Sequence, residues 1–160
     1  MKNLLFILIA FVSIQAFSQT ELPNMTLKDL DGKDVSLQSI SANDQLVVIS
    51  LWATWCVPCK NELDAINDLY DQWKDETNVI LYAITVDDAR TVNRVKPMVN
   101  GKGWEYEVLY DTNNDLKRAL GAATVPLTLI VKNNKILYRH SGYTPGAEDE
   151  LYEELVSHAK

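Results

Sequence analysis

Residues 46–60 read Leu-Val-Val-Ile-Ser-Leu-Trp-Ala-Thr-Trp-Cys-Val-Pro-Cys-Lys, and the change of character along this stretch decides the fold. Leu46 to Leu51 is an apolar run broken only by Ser50, the composition of a strand buried on both faces. Trp52 to Trp55 reads as a loop. From Val57 to Trp73 the residues Leu63, Ile66, Tyr70 and Trp73 recur at spacings of three and four, a helical stripe. Pro58 falls in the first turn of that helix, where a proline is tolerated. Cys56 and Cys59 therefore stand where a buried strand hands over to a helix.

That position favours thiol chemistry. A helix N-terminus carries partial positive charge and free N–H groups, both of which stabilise a thiolate. Two cysteines three residues apart can close on each other there, the first attacking a disulfide and the second resolving the adduct. At about 100° per residue, Cys59 shares a face with Ile66 and Tyr70 and points to the core, while Cys56 sits at the helix mouth. Cys56 is thus expected to be the nucleophile and Cys59 the resolving thiol. Two blander readings remain. A structural disulfide closing so short a loop would remove little unfolded-state entropy. A zinc site would have to recruit His140 and His158, which lack the close spacing such sites favour. No metal or other cofactor is assigned, and neither histidine is given a role.

Working outward, Met25–Leu30 and Lys33–Leu37 flank Asp31-Gly32 and read as a short hairpin. Val79–Val86 is a second buried strand. Ala89–Val99 reads as helix despite Pro97, closed off by Gly101 and Gly103. Tyr106–Tyr110 reads as a strand and Asn114–Leu120 as a short helix stopped at Gly121. Leu127–Val131 and Ile136–His140 are strands joined across Asn133-Asn134, where asparagine tolerates positive φ. Thr144 resembles an N-cap and Pro145 a first helical residue, with Leu151, Leu155 and Val156 as the buried face of a last helix. Strands alternating with helices before a final hairpin imply an α/β fold: a mixed sheet covered by helices on both faces.

The 160 residues suffice for one globular domain with a core, expected over residues 19–160. With 15 Lys and Arg against 22 Asp and Glu, the net charge of −7 argues against nucleic acid as a partner. Residues 1–18 have the layout of a cleaved secretory signal peptide: Lys2, an uncharged stretch from Leu4 to Phe17, and the small-x-small triplet Ala16-Phe17-Ser18. The stretch is shorter than the ~20 residues that span a bilayer, which makes an uncleaved membrane anchor the lesser reading. The compartment expected is therefore outside the cytoplasm, the periplasm, where disulfide chemistry is permitted.

The segment Trp52-Ala53-Thr54-Trp55-Cys56-Val57-Pro58-Cys59 resembles the W-x-x-W-C-x-P-C pattern of the thioredoxin superfamily, in its extracytoplasmic TlpA/ResA-like branch. The likeness continues through Thr124-Val125-Pro126, similar to that family's cis-proline loop, and through the final hairpin and helix. It implies a thioredoxin-like sheet with an N-terminal hairpin and a helix–strand insertion between Ala89 and Tyr110. It implies that Pro126 is cis, and that Val125 pairs its backbone with an extended substrate segment. Trp55, Val57 and Pro58 would complete the surface that partners touch. A glutamate at the position of Glu62 lies beside the dithiol in this branch and assists proton transfer, whereas helix position alone reads Glu62 as a solvated residue. Cytoplasmic thioredoxins carry a buried aspartate where this chain has Ser50. Asp64, the other acid in the first turns after Cys59, points away from the stripe.

The activity so implied is thiol-disulfide oxidoreduction on partner proteins, mostly as a reductant. Electrons would come from a membrane partner, and apo-cytochrome c cysteines form one target class. Three alternatives stand beside it. A disulfide oxidase or isomerase would show a higher reduction potential. Copper chaperone-like relatives use C-x-x-x-C, one residue longer than the spacing here. A peroxidase would need a P-x-x-x-[ST]-x-x-C segment, which is missing from the sequence.

Overall fold

The computed structural model describes residues 21–159. The leader expected over residues 1–18 lies outside them. The chain opens with the hairpin β1 (Thr26–Asp29) and β2 (Asp34–Ser36). Its turn is held by Asp29 Oδ1, which accepts hydrogen bonds from the N–H groups of Asp31 and Lys33. One helical turn, α1 (Leu37–Ile40), follows; it was not anticipated, because four residues carry too little periodicity to read. Then come β3 (Val47–Trp52), α2 (Val57–Thr77), β4 (Ile80–Thr85), α3 (Val95–Lys102), β5 (Glu107–Tyr110), α4 (Asp115–Ala119), β6 (Leu127–Lys132), β7 (Lys135–Ser141) and α5 (Ala147–Ala159).

The strands form one mixed sheet in the order β2-β1-β5-β4-β3-β6-β7. The central strands β3, β4 and β5 run parallel, and the flanking pairs are antiparallel. All six residues of β3 are buried, as the apolar run requires of a strand covered on both faces. The stripe of α2 packs inward: Leu63, Ile66, Tyr70 and Trp73 are all buried. Trp73 stacks on Tyr152 of α5 with ring centroids 5.8 Å apart, which joins the two helices. Trp52 meets Trp104 edge to face at 5.2 Å, and Tyr70 meets Tyr106 at 5.0 Å, filling the volume beneath α2 with aromatic pairs.

Several boundaries differ from expectation. Helix α2 continues past Trp73 to Thr77 and stops where Asn78 adopts a left-handed conformation and returns its N–H to Lys74 O. The helix expected from Ala89 begins only at Val95, after a 3₁₀ turn at Val92–Arg94. Asp88 is the cause: its carboxylate takes the Arg90 N–H and guanidinium and fixes a turn there. Pro97 then occupies the third residue of α3, where its missing N–H breaks no helical bond. The last helix starts at Ala147 rather than Pro145, because Gly146 has φ +98°, incompatible with a helical turn. Val156 is only half-buried on that helix.

The sheet has two distinct poles. At one, β3 delivers the chain to Cys56. At the other lies the β6–β7 turn, where Asn133 and Asn134 have φ of 51° and 63°. That turn is tied to the segment before β3 by Asn133 N–H on Ser41 O at 2.7 Å and Asp44 N–H on Asn133 Oδ1 at 3.0 Å. The first described residues join the same pole, with Leu22 N–H on Asn134 O at 2.8 Å and Glu21 bridging Lys135. Among the described residues no helix is long and apolar enough to cross a membrane.

Candidate active site

The loop between β3 and α2 is anchored before it reaches the cysteines. Asp87, just beyond β4, is fully buried and accepts hydrogen bonds from Thr54 N–H at 2.8 Å, Thr54 Oγ1 at 2.6 Å and Thr85 Oγ1 at 2.6 Å. Burial pushes its carboxyl up, but the hydrogen bonds from Thr54 and Thr85 outweigh that and hold it below the usual range. The sequence reading passed over Asp87. Its signal was an acid placed directly after the apolar run Val79–Val86.

Cys56 caps α2. Its backbone is extended, and its Sγ accepts the Cys59 N–H at 3.3 Å. Pro58 sits in the first turn, where no N–H is needed. The two cysteines are joined as a disulfide with Cα atoms 5.4 Å apart. Cys59 is 0% exposed and Cys56 5%, so the pair is sunken and Cys56 is the outer member. Around it Trp55 and Val57 stand out at 56% and 60% exposure, with Pro58 also exposed. Val125 closes the opposite rim: its carbonyl oxygen lies 3.8 Å from Cys56 Sγ, and the Val125–Pro126 bond is cis. Pro126 O accepts the Gly142 N–H at 2.9 Å, which fastens this loop to the end of β7.

Glu62 is not a solvated helix residue; it is 3% exposed. Ser50 and Thr128 are register partners across β3 and β6, so their side chains project from the same face of the sheet. Both meet the carboxylate: Ser50 Oγ donates to Oε2 at 3.0 Å and Thr128 Oγ1 to Oε1 at 2.7 Å. Burial pushes the Glu62 carboxyl up to about 7, the two hydroxyl hydrogen bonds opposing it and the nearby Glu148 charge adding to it. Thr128 was missed by the sequence reading. A hydroxyl residue inside the apolar run Leu127–Val131, matching Ser50 in its own run, was the available signal. Asp64 turns away as expected, to Lys102 Nζ and Trp104 Nε1.

The histidines stay out of any cluster with the cysteines. His140 stacks on Tyr138, and His158 lies 3.7 Å from Glu154. Among the described residues no three His, Cys, Asp or Glu side chains gather as a metal-binding set. Lys60 is half-exposed and shows no contact that assigns it to the dithiol.

A seven-stranded mixed sheet with a Cys-x-x-Cys pair capping its long helix, against a cis-proline loop, defines a thioredoxin-fold dithiol protein. The chain belongs to the AhpC/TSA family, whose model matches residues 19–140. It is similar to a protein named thiol-disulfide oxidoreductase ResA from Bacillus thuringiensis (strain Al Hakam), 30% identical over 118 residues, which is 73% of this chain and 65% of that relative. The chain therefore spans somewhat less than two thirds of that relative's length. A thioredoxin-like protein from Porphyromonas gingivalis, solved in solution, is 42% identical with a TM-score of 0.76, covering 86% of this chain and 91% of that one. The crystal structure of StoA from Bacillus subtilis, 21% identical, shares the fold with a TM-score of 0.66, over 83% of this chain and 96% of its own.

Proposed function

We propose that this chain is an extracytoplasmic thiol-disulfide oxidoreductase that reduces disulfides in partner proteins. The observation that carries the proposal is the approach of Val125 O to within 3.8 Å of Cys56 Sγ at the mouth of α2. An extended substrate segment can pair with the Val125 backbone and in doing so lay its own disulfide against Cys56. Exposed Trp55, Val57 and Pro58 supply apolar area for the same contact, with Pro126 shaping the groove beneath.

In the reduced protein Cys56 attacks as thiolate, favoured by the helix N-terminus and the Cys59 N–H. One substrate sulfur leaves and takes a proton, and a mixed disulfide forms through Cys56. Cys59 then gives its proton to Glu62, attacks Cys56 Sγ and releases the second substrate thiolate. Two electrons pass to the substrate and the Cys56–Cys59 disulfide remains. A membrane-bound dithiol donor is the source of electrons for the return, and apo-cytochrome c cysteines are one substrate class. A signal peptide over residues 1–18 places the domain of residues 19–160 in the periplasm.

The test is the reduction potential together with partner trapping. A potential at or below about −270 mV, the value of thioredoxin, is expected. A potential near about −120 mV would reverse the direction of electron flow and make the protein an oxidant.

A further inference from the structure

Beside Glu62 the fold leaves a small chamber, with about 10 Å³ available to the centre of a water molecule. Its walls are Glu62, Thr128, Tyr138, His140 and the first turn of α5 at Ala147, Glu148 and Leu151. Five of those residues carry polar side chains, and a single water needs two to four hydrogen-bond partners. Register explains why polar groups converge there. Ser50 pairs with Thr128 across β3 and β6, and Thr128 pairs with His140 across β6 and β7. Directly opposed residues share a face, so the three form a polar row. The row runs from the sheet centre under Glu62 to the edge strand, where His140 is half-buried.

We propose that this chamber is the proton port of Glu62, and that His140 passes the proton between the chamber and solvent. The inference rests on the reading of Glu62 as the proton partner of Cys59. The Cys59 thiol gives one proton to a Glu62 carboxylate oxygen as its sulfur attacks Cys56. Glu62 gives that proton to water in the chamber, and His140 hands it to bulk, while each departing substrate thiolate recovers one proton from solvent. No electrons move through the port. Imidazole accepts and releases protons at neutral pH, so it suits the outer position.

Other groups face Glu62 from the surrounding elements. From β7 come Tyr138 and His140, from the loop before α5 Tyr143, from the loop before β5 Tyr106, and from α5 Glu148. Glu148 is a fixed anion. Burial raises its carboxyl, but hydrogen bonds from Tyr143 Oη at 2.8 Å and Gly146 N–H at 3.0 Å hold it below the usual range. The tyrosines are all shifted upward by burial, the largest cause for each, and stay neutral. Among the lining residues His140 combines a place on the chamber wall with partial exposure and two ring nitrogens, one to take a proton and one to release it.

The experiment is stopped-flow measurement of the resolving step in full-length protein, from pH 5.5 to 8.5, with a small diffusible disulfide. His140→Gln, which keeps polarity but does not carry a proton, should slow that step roughly tenfold at pH 7. This is less than the 10²–10⁴-fold typical of a direct acid–base group. In His140→Ala added imidazole should restore the rate, a rescue that also shows the variant is folded. Combining His140→Gln with Glu62→Gln should give no slowing beyond Glu62→Gln alone. If Glu62→Gln is slow but His140→Gln keeps the wild-type rate, the port lies elsewhere and the role of Glu62 stands. Slowing by His140→Ala that imidazole does not relieve, and that adds to the effect of Glu62→Gln, would make His140 structural and overturn the port. If Glu62→Gln itself keeps the wild-type profile, the underlying reading of Glu62 fails, and the port with it.

Discussion

Thr128 Oγ1 donates a 2.7 Å hydrogen bond to Glu62 Oε1, and both residues are buried. One bond thereby links the strand that follows Pro126 to the helix that follows Cys56. Thr128, two residues after Pro126, thus brings the segment proposed to receive substrate backbone into contact with the group proposed to take the Cys59 proton, 66 residues away along the chain. Ser50 Oγ holds the second carboxylate oxygen, so Glu62 has one orientation available to it.

The position of Glu62 sets a sign for stability against pH. Its carboxyl rises from 4.5 in the open chain to about 7 in the fold, so the folded state binds its proton more tightly. The stabilisation is complete below pH 4.5, declines as pH rises, and is lost above about 7. At about 1.4 kcal/mol per pH unit, the full loss is of the order of 3 kcal/mol. Glu62→Gln keeps donor and acceptor for Ser50 and Thr128 without ionising. It should match the wild type in urea unfolding at pH 4.5 and exceed it by about 2–3 kcal/mol at pH 8.5. Equal pH dependence in both proteins would mean that Glu62 titrates as an ordinary surface carboxylate.

Asp87 carries the opposite sign. Its carboxyl lies below 3.8 in the fold, so its contribution is present above that pH and is lost as the solution becomes more acidic. Asp87→Ala would leave the Thr54 N–H and two hydroxyls buried without their acceptor. A loss of about 3 kcal/mol is expected at pH 7, together with slower alkylation of Cys56 because the loop that aims it is released. Asp87→Asn, which retains one acceptor oxygen, should lose less. The check is chemical denaturation alongside the rate of iodoacetamide labelling.

The two cysteines should behave unequally. In the reduced protein mild alkylation at neutral pH should modify Cys56 well before Cys59, which is wholly enclosed. Cys59→Ser should accumulate mixed disulfides with partner proteins, because the adduct at Cys56 then has no internal exit. Cys56→Ser should accumulate few. Mass spectrometry of labelled peptides and non-reducing gels measure both, and reversed labelling would exchange the assigned roles.

Trp55 offers a prediction about substrates rather than chemistry. Its ring is more than half exposed and makes no hydrogen bond to the cysteines. Trp55→Ala should raise KM for a protein disulfide several-fold and leave turnover of a small disulfide unchanged. Global stability should move by no more than about 0.5 kcal/mol, as for other surface changes. An equal loss on both substrates would place Trp55 in the chemistry of the dithiol.

Much of this architecture was legible in the residues. The run Leu46–Leu51, apolar but for Ser50, reads as a strand covered on both faces, the stripe Leu63, Ile66, Tyr70 and Trp73 reads as a helix face, and burial follows both. Helix phase was enough to order Cys56 outside Cys59. Other features arise only when distant strands are aligned. Ser50, Thr128 and His140 are separated by 78 and 12 residues along the chain, and nothing local says that they share a row. The helix starts at Val95 and Ala147 were misplaced for a different reason. Asp88 and Gly146 set the local backbone there, and each outweighs the apolar pattern that would begin the helix earlier.

The pole that receives Glu21 and Leu22 has a practical meaning. Whatever is attached ahead of Glu21 joins the domain beside Asn134, at the end of the sheet away from Cys56. A tether placed there, natural or engineered, presents the cysteines outward like the tip of a probe. Coupling the protein to a surface through its amino end should leave its access to large partners intact. Coupling through a residue near Gly121–Thr124 would press the reactive tip against the support.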